Sequence, residues 1–291
     1  MNIKHLAISV AMLAACSRSV GPDTKFIPIR IDTGIETRVT DDKFDTGDKV
    51  GIYIVCPVGE LAATGNYVDN ADFTFDGSTW TSGNELYWKD GTTPADFYCY
   101  YPFDGSIIDS GDLVFETNAD QGTEANYKAS ELLYGKSCGV EPTENAVGIM
   151  TRHILSNLII TILPGKGYTA ESLSEEEISI SIVGLKTEAK VDLATGIVTA
   201  DGESLNITPL KSGTAWKAIL VPQETVNENL IDVTVGGCKY HLARKATFES
   251  GKQYQCTITV NKLGEGVNIG IEGWEDSGID YGGDSGARWQ V

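Results

Sequence analysis

The sequence predicts an all-β protein, and three features of its patterning do so. Apolar and polar residues alternate over strand-length stretches. Tyr254, Cys256, Ile258 and Val260 face one way while Gln255, Thr257, Thr259 and Asn261 face the other, the period of a half-buried strand. Short glycine turns separate such stretches, as where Gly236-Gly237 joins residues 231–235 to residues 238–242, a hairpin signature. Helical periodicity is weak throughout, the best candidates being a turn or two near residues 129–133 and 170–177. Many short strands with frequent turns indicate sandwiches or barrels rather than strands alternating with helices.

From the N-terminus, Lys4 and His5 give a basic start, and an apolar run follows from Leu6 to Ala15. A membrane-spanning helix needs about 20 apolar residues, so this run is too short to span. A basic start, a short apolar stretch and small residues are instead the layout of a secretory signal. Its end, Leu13-Ala14-Ala15-Cys16, resembles the bacterial lipobox, which makes Cys16 the expected site of lipid attachment and residues 1–15 the signal peptide. Two or more acyl chains, at about 0.8 kcal/mol per buried methylene, anchor a protein durably to a bilayer. Outer-membrane lipid is thus an expected partner, held through the acylated cysteine.

The 276 residues that remain suggest two domains. Strands are readable at residues 50–56 and 97–101, and residues 73–75 turn through Asp76-Gly77 to Trp80. Residues 178–182 alternate isoleucine with serine. Residues 190–193 and 197–199 flank Ala194-Thr195-Gly196 as a further hairpin. Between two strand-rich blocks lies Glu141-Pro142-Thr143-Glu144-Asn145, so the expected domains are 16–146 and 147–291, each a β-sandwich.

Formal charge is −19 for the whole chain and −20 without Lys4. Such an acidic chain repels nucleic acid and anionic lipid surfaces, leaving protein or glycan as partners. Of the six cysteines, Cys56, Cys99, Cys138, Cys238 and Cys256 remain beside Cys16. Five cannot all pair within one chain, and none has C-x-x-C spacing. Buried free thiols are the expectation, with a Cys238–Cys256 bridge as the alternative.

Catalytic patterns are scarce. His153 and His241 are isolated and read as structural residues. Gly135-Lys136-Ser137-Cys138-Gly139 spells G-x-S-x-G, but Val140-Glu141-Pro142 follows where a nucleophile elbow needs a helix. Asp41, Asp42, Asp45 and Asp48, and likewise Asp69, Asp72 and Asp76, crowd two loops without the spacing of a calcium-binding loop. No enzyme, metal or cofactor is expected.

Several blocks, in order, resemble the fimbrillin family, pilin-like surface lipoproteins of anaerobic Gram-negative bacteria. They are Thr37-Arg38-Val39-Thr40 with residues 44–53, Trp88, residues 96–102, residues 131–135, residues 153–158, residues 219–223, residues 248–254 and Gly273-Trp274. The resemblance implies two transthyretin-like β-sandwiches in tandem and a structural or adhesive role in a surface fimbria on the outer membrane, with other fimbrial subunits and a host or bacterial surface protein or glycan as partners. It also implies assembly by strand exchange, in which a trypsin-like protease cuts after an arginine in the loop following the first strand. Here Ile27, Ile29 and Ile31 alternate as that exchangeable strand, Pro28 suits an edge, Arg38 is the expected cut and Arg30 the runner-up. After Trp274 the chain has no long alternating run, so a tip or accessory subunit that receives a strand is expected rather than a stalk subunit. The alternative is a lipid-anchored glycan-binding protein whose stacking aromatics come from Tyr67, Trp80, Tyr87 and Trp88.

Overall fold

The computed structural model describes residues 26–36, 43–111, 113–225, 229–262 and, as backbone, 274–280. The first half of the chain supplies β1 (Ile31–Ile35), β2 (Lys49–Val55), β3 (Val68–Phe75), β4 (Trp80–Ser82), β5 (Ala95–Tyr101), β6 (Leu113–Glu116), α1 (Glu124–Lys128), β7 (Leu133–Val140) and β8 (Val147–His153). The second half supplies β9 (Ser156–Pro164), α2 (Ala170–Ser174), β10 (Ile178–Asp192), β11 (Ile197–Ile207), β12 (Leu210–Ser212), β13 (Ala215–Leu220), β14 (Gln223–Glu224), β15 (Asn229–Val235), β16 (Cys238–Ala243), β17 (Thr247–Phe248), β18 (Lys252–Val260) and β19 (Trp274–Asp280). The protein is all-β.

Seven strands form one sheet in the order β1-β8-β7-β5-β2-β3-β4. Its two edge strands come back near each other, so the sheet is almost closed. Inside it, alternation places Val50, Ile52 and Ile54 of β2 and Phe97 and Cys99 of β5 in one apolar cluster with Ile29, Ile31, Trp80 and Trp88. Each strand buries alternate side chains because successive Cβ atoms point to opposite faces. The second half builds one sheet in the order β11-β10-β15-β16 and another in the order β12-β13-β9-β18-β19, enclosing a cluster that includes Ile160, Ile182, Val233, Tyr254 and Ile258. The hairpins read from alternation and turn residues are present, with Phe75 opposite Trp80, Asp192 opposite Ile197 and Val235 opposite Cys238.

Residues 147–153, expected to open the second domain, form a strand of the first sheet. β8 pairs with β7 at Leu133↔His153 and with β1 at Ile31↔Val147, so residues 147–153 complete the first sheet. The chain passes to the second set of sheets at Ile154 and Leu155. The acidic, proline-containing stretch before Val147 is a loop between two strands of one sheet, not a linker. β6, in turn, pairs with β10 in the second half, with Leu113 opposite Val191. A third apolar cluster therefore spans both halves, bringing Tyr53, Tyr98, Tyr100, Tyr127 and Tyr134 against Leu155, Val191, Leu193, Ile219 and Val221. Buried Gln121 crosses the same seam: its amide donates to the Ile219 carbonyl at 2.8 Å and accepts from the Ile219 amide at 2.8 Å.

The helices are short. The turn expected near residues 129–133 lies earlier because the Thr123 side chain caps α1, accepting from the Asn126 amide at 3.2 Å. The second candidate is α2, closed by a capping box between Thr169 and Ser172.

Gly135 fixes the approach of β7 to β8. A Cβ there would sit 2.3 Å from the Met150 carbonyl oxygen, a backbone atom that cannot swing aside, whereas a Cβ at Gly148 meets nothing within 4 Å. We expect Gly135→Ala to destabilise the protein by about 1–3 kcal/mol and Gly148→Ala to leave its melting temperature near wild type, read by thermal melts of both variants.

Candidate functional site

The segment that opens the described chain lies at the edge of the seven-stranded sheet. Ile29, Ile31 and Thr33 point inward and are 6%, 4% and 5% exposed, while Arg30 and Asp32 face solvent. The expected alternation of Ile27, Ile29 and Ile31 thus holds for the inner face, although Ile27 is only half-buried. The regular strand is shifted from the expected position, because pairing with β8 begins only at Ile31. Residues 27–29 use a different neighbour. Pro28 bridges Tyr87 in antiparallel fashion, the Ile29 amide donates to the Leu86 carbonyl at 2.8 Å, and the Trp88 amide donates to the Ile27 carbonyl at 2.9 Å. Pro28, lacking an N–H, donates nothing, and both bonds come from its neighbours.

From Arg30 onward the chain lies on β8. The Val147 amide donates to the Arg30 carbonyl at 2.8 Å, and Ile31–Ile35 then runs parallel to residues 147–151. Two side chains, from β4 and β8, grip its backbone, and one of its own side chains reaches out to a neighbouring loop. The Trp80 indole nitrogen donates to the Thr33 carbonyl at 3.3 Å, the Thr151 hydroxyl to the Gly34 carbonyl at 3.0 Å, and the Arg30 guanidinium to the Glu144 carbonyl at 2.7 Å. A cleft of about 460 Å³, lined by Thr33, Ile35, Phe44 and Phe75 among others, adjoins the C-terminal end of β1. Cys99 lies beneath β1, and burial pushes its thiol up to about 12, which keeps it protonated and unreactive.

Arg38 and Cys16 lie outside the described residues. Arg30 is described and exposed, between two buried isoleucines. Trp80, Thr151 and Trp88 complete the seat. Sequence reasoning had no signal for Thr151, or for the two tryptophans as seat residues, because they meet the opening segment only across long stretches of chain.

The aromatics expected as a sugar platform separate. Trp80 and Trp88 are 6% and 3% exposed inside the sheet, which corrects their reading as stacking surfaces. Tyr67 stays 40% exposed, with its hydroxyl donating to the Tyr87 carbonyl at 2.8 Å. The acidic loops serve their own turns. Asp76 accepts from the Ser78 and Thr79 amides, which hold its carboxyl well below the usual range. Asp45 pairs with Lys128, and Asp72 with Lys49. Among the described residues no group of three or more acidic, histidine or cysteine side chains is placed to hold a metal. The G-x-S-x-G letters fall inside β7, which bulges near Gly139 but stays a strand through them. His241 pairs with Asp232 at 2.6 Å, and His153 is buried at the end of β8. The five cysteines among the described residues are free thiols, Cys238 and Cys256 included.

The fold and this seat define an all-β protein whose first described strand is an edge element, buried on one face and paired along one side. A family profile described as fimbrillin-like matches residues 37–274, beginning directly after the first strand, and the chain belongs to that family. A Bacteroides uniformis protein carrying the name fimbrium subunit Fim1C is 25% identical over 288 residues, covering 92% of each chain. A Bacteroides ovatus protein named as the fimbrium tip subunit Fim1C is 26% identical over 195 residues, 58% of this chain and 35% of its own. The crystal structure of a Bacteroides uniformis protein described as a cell adhesion protein superposes with a TM-score of 0.64 at 22% identity, covering 85% of this chain and 99% of that one, a likeness of fold. The protein is a cell-surface fimbrial subunit, structural rather than catalytic.

Truncating the inner face of β1 should weaken the sheet. Ile31→Ala is expected to cost about 2–4 kcal/mol in a urea titration, whereas Arg30→Ala, on the exposed face, is expected to change stability by about 1 kcal/mol or less.

Proposed function

We propose that this chain is a tip or accessory subunit of the fimbria, exported as a lipoprotein acylated at Cys16 and assembled when proteolysis at Arg38 frees its first strand. A strand from a neighbouring subunit then occupies the vacated seat. The two groups of sheets are, in this reading, two transthyretin-like sandwiches in tandem, divided after His153. One observation carries the assembly step: β1 is an edge strand, its segment buries Ile29 and Ile31, and it ends at Ile35, ahead of Arg38 in the sequence. An edge row of amides and carbonyls accepts an added strand, and pockets for alternate side chains set its register. Each ladder hydrogen bond contributes about 0.5–1.5 kcal/mol net, and each seated aliphatic side chain about 1.5–3 kcal/mol. A strand held by several of each binds tightly.

The name of the Bacteroides ovatus relative supports the tip position. Arg38 is preferred to Arg30 as the cut because Arg30 is tied to the Glu144 carbonyl within a segment bound on both sides. A protease must draw several residues of extended backbone into its cleft, and bound backbone resists that. The burial of Trp80 and Trp88 leaves Tyr67 and Tyr87 as the remains of the glycan-binding alternative.

Limited trypsin digestion, followed by mass spectrometry and sizing, tests this reading. The first cut is expected after Arg38, followed by oligomers, and Arg38→Ala should abolish both. First cleavage after Arg30, or oligomers from uncut Arg38→Ala protein, would contradict it.

A further inference from the structure

We propose that the seat of the first strand is matched to a foreign strand bearing an aliphatic residue where this chain places Thr33, with Trp80 and Thr151 gripping that strand by its backbone. The inference rests on the strand-exchange reading and adds the chemistry of the partner.

Three inward positions of the opening segment enter the sheet. Two hold isoleucine, and the third holds Thr33, 5% exposed. Its surroundings are apolar or nearly so: Phe44 lines the adjoining cleft, Ile149 is its register partner on β8, the Trp80 ring reaches its carbonyl, and the Cys99 thiol lies beside its hydroxyl. A thiol is a weak partner, and the Thr33 hydroxyl makes no hydrogen bond of proper geometry. A buried hydroxyl left in this state opposes the strand that carries it. Valine has nearly the same shape without the hydroxyl, so the position accepts an aliphatic residue without enlargement.

Gly34 is the next weak point. It faces outward beside Met150, which is 58% exposed. A Cβ at Gly34 would meet the Met150 methyl at 3.5 Å, an ordinary contact, so nothing around this position requires glycine. Glycine within a strand costs backbone entropy and leaves the neighbouring surface uncovered. A side chain there would cover Met150. The Trp80 and Thr151 bonds meanwhile go to the Thr33 and Gly34 carbonyls, groups that every strand possesses. The grip therefore holds the backbone without discriminating between occupants, and the side chains at positions 33 and 34 discriminate. The preferred occupant is a β-strand of another subunit with aliphatic residues at all three inward positions and a side chain larger than hydrogen over Met150.

Cys99 reports on the seat, since it is buried beneath β1 and becomes accessible to a thiol reagent only when the strand lifts. In the intact chain, labelling of Cys99 should be read by peptide mass spectrometry for wild type, Thr33→Val and Thr33→Ser. Thr33→Val is expected to slow labelling about tenfold and Thr33→Ser, which keeps the hydroxyl and loses a methyl, to accelerate it. Labelling of Thr33→Val as fast as wild type, with wild-type melting, would overturn the match. In a second measurement, protein cut after Arg38 is offered two synthetic peptides, residues 27–35 and the same with Thr33→Val. About tenfold tighter capture of the second supports the proposal, and equal capture overturns it. Capture of neither would remove the foreign strand, and the exchange reading with it, while the labelling result still judges the seat.

Discussion

The parallel pairing of β1 with β8 is the contact on which the rest of this molecule's behaviour depends. It joins residues 31–35 to residues 147–151, and it lies at an edge, so β1 has a ladder partner on one side only. On its other side the opening segment meets the Trp80 indole and the short bridge to residues 86–88. An interior strand cannot leave without dissolving two ladders. An edge strand gives up one, together with whatever its inward side chains bury. β1 therefore completes the almost closed sheet through one ladder and the side chains it buries, and the proposed exchange requires that these separate while the frame stays folded.

That separability needs a frame that stays in place. The cluster of tyrosines between the two halves, the pairing of β6 with β10 and the Gln121 bridge to Ile219 tie the remaining strands into one body. None of these contacts involves β1. Burial also pushes the hydroxyls of Tyr100 and Tyr134 above their usual range. The division of labour is physical: a packed interior spanning both halves, and a peripheral strand whose inner face includes one poorly matched residue.

Local patterning made much of the fold legible. Alternation at residues 231–235 and 254–260, and turn residues at Asp76-Gly77 and Gly236-Gly237, reveal strands and hairpins because their partners lie close in sequence. Long-range pairing was not legible. Nothing in residues 147–151 announces that they receive residues 31–35, and the acidic loop before Val147 reads as a linker although it joins strands of one sheet. Whether Trp80 and Trp88 were surface or core aromatics was not legible, because their burial follows from closure of the sheet rather than from neighbouring residues. The isoleucines of the first strand were visible by their spacing. Thr33 was not, since threonine is an ordinary strand residue until its hydroxyl is found buried.

The central claim, that β1 is separable from an otherwise intact protein, is tested most directly by amide hydrogen exchange before and after a cut at Arg38. The Val147 and Trp88 amides donate to Arg30 and Ile27 and report on the seat, while amides within β18 report on the frame. The account predicts that cleavage sharply accelerates exchange at Val147 and Trp88 and leaves β18 protected. Unchanged protection at Val147 and Trp88, or loss of protection throughout both halves together, would contradict it.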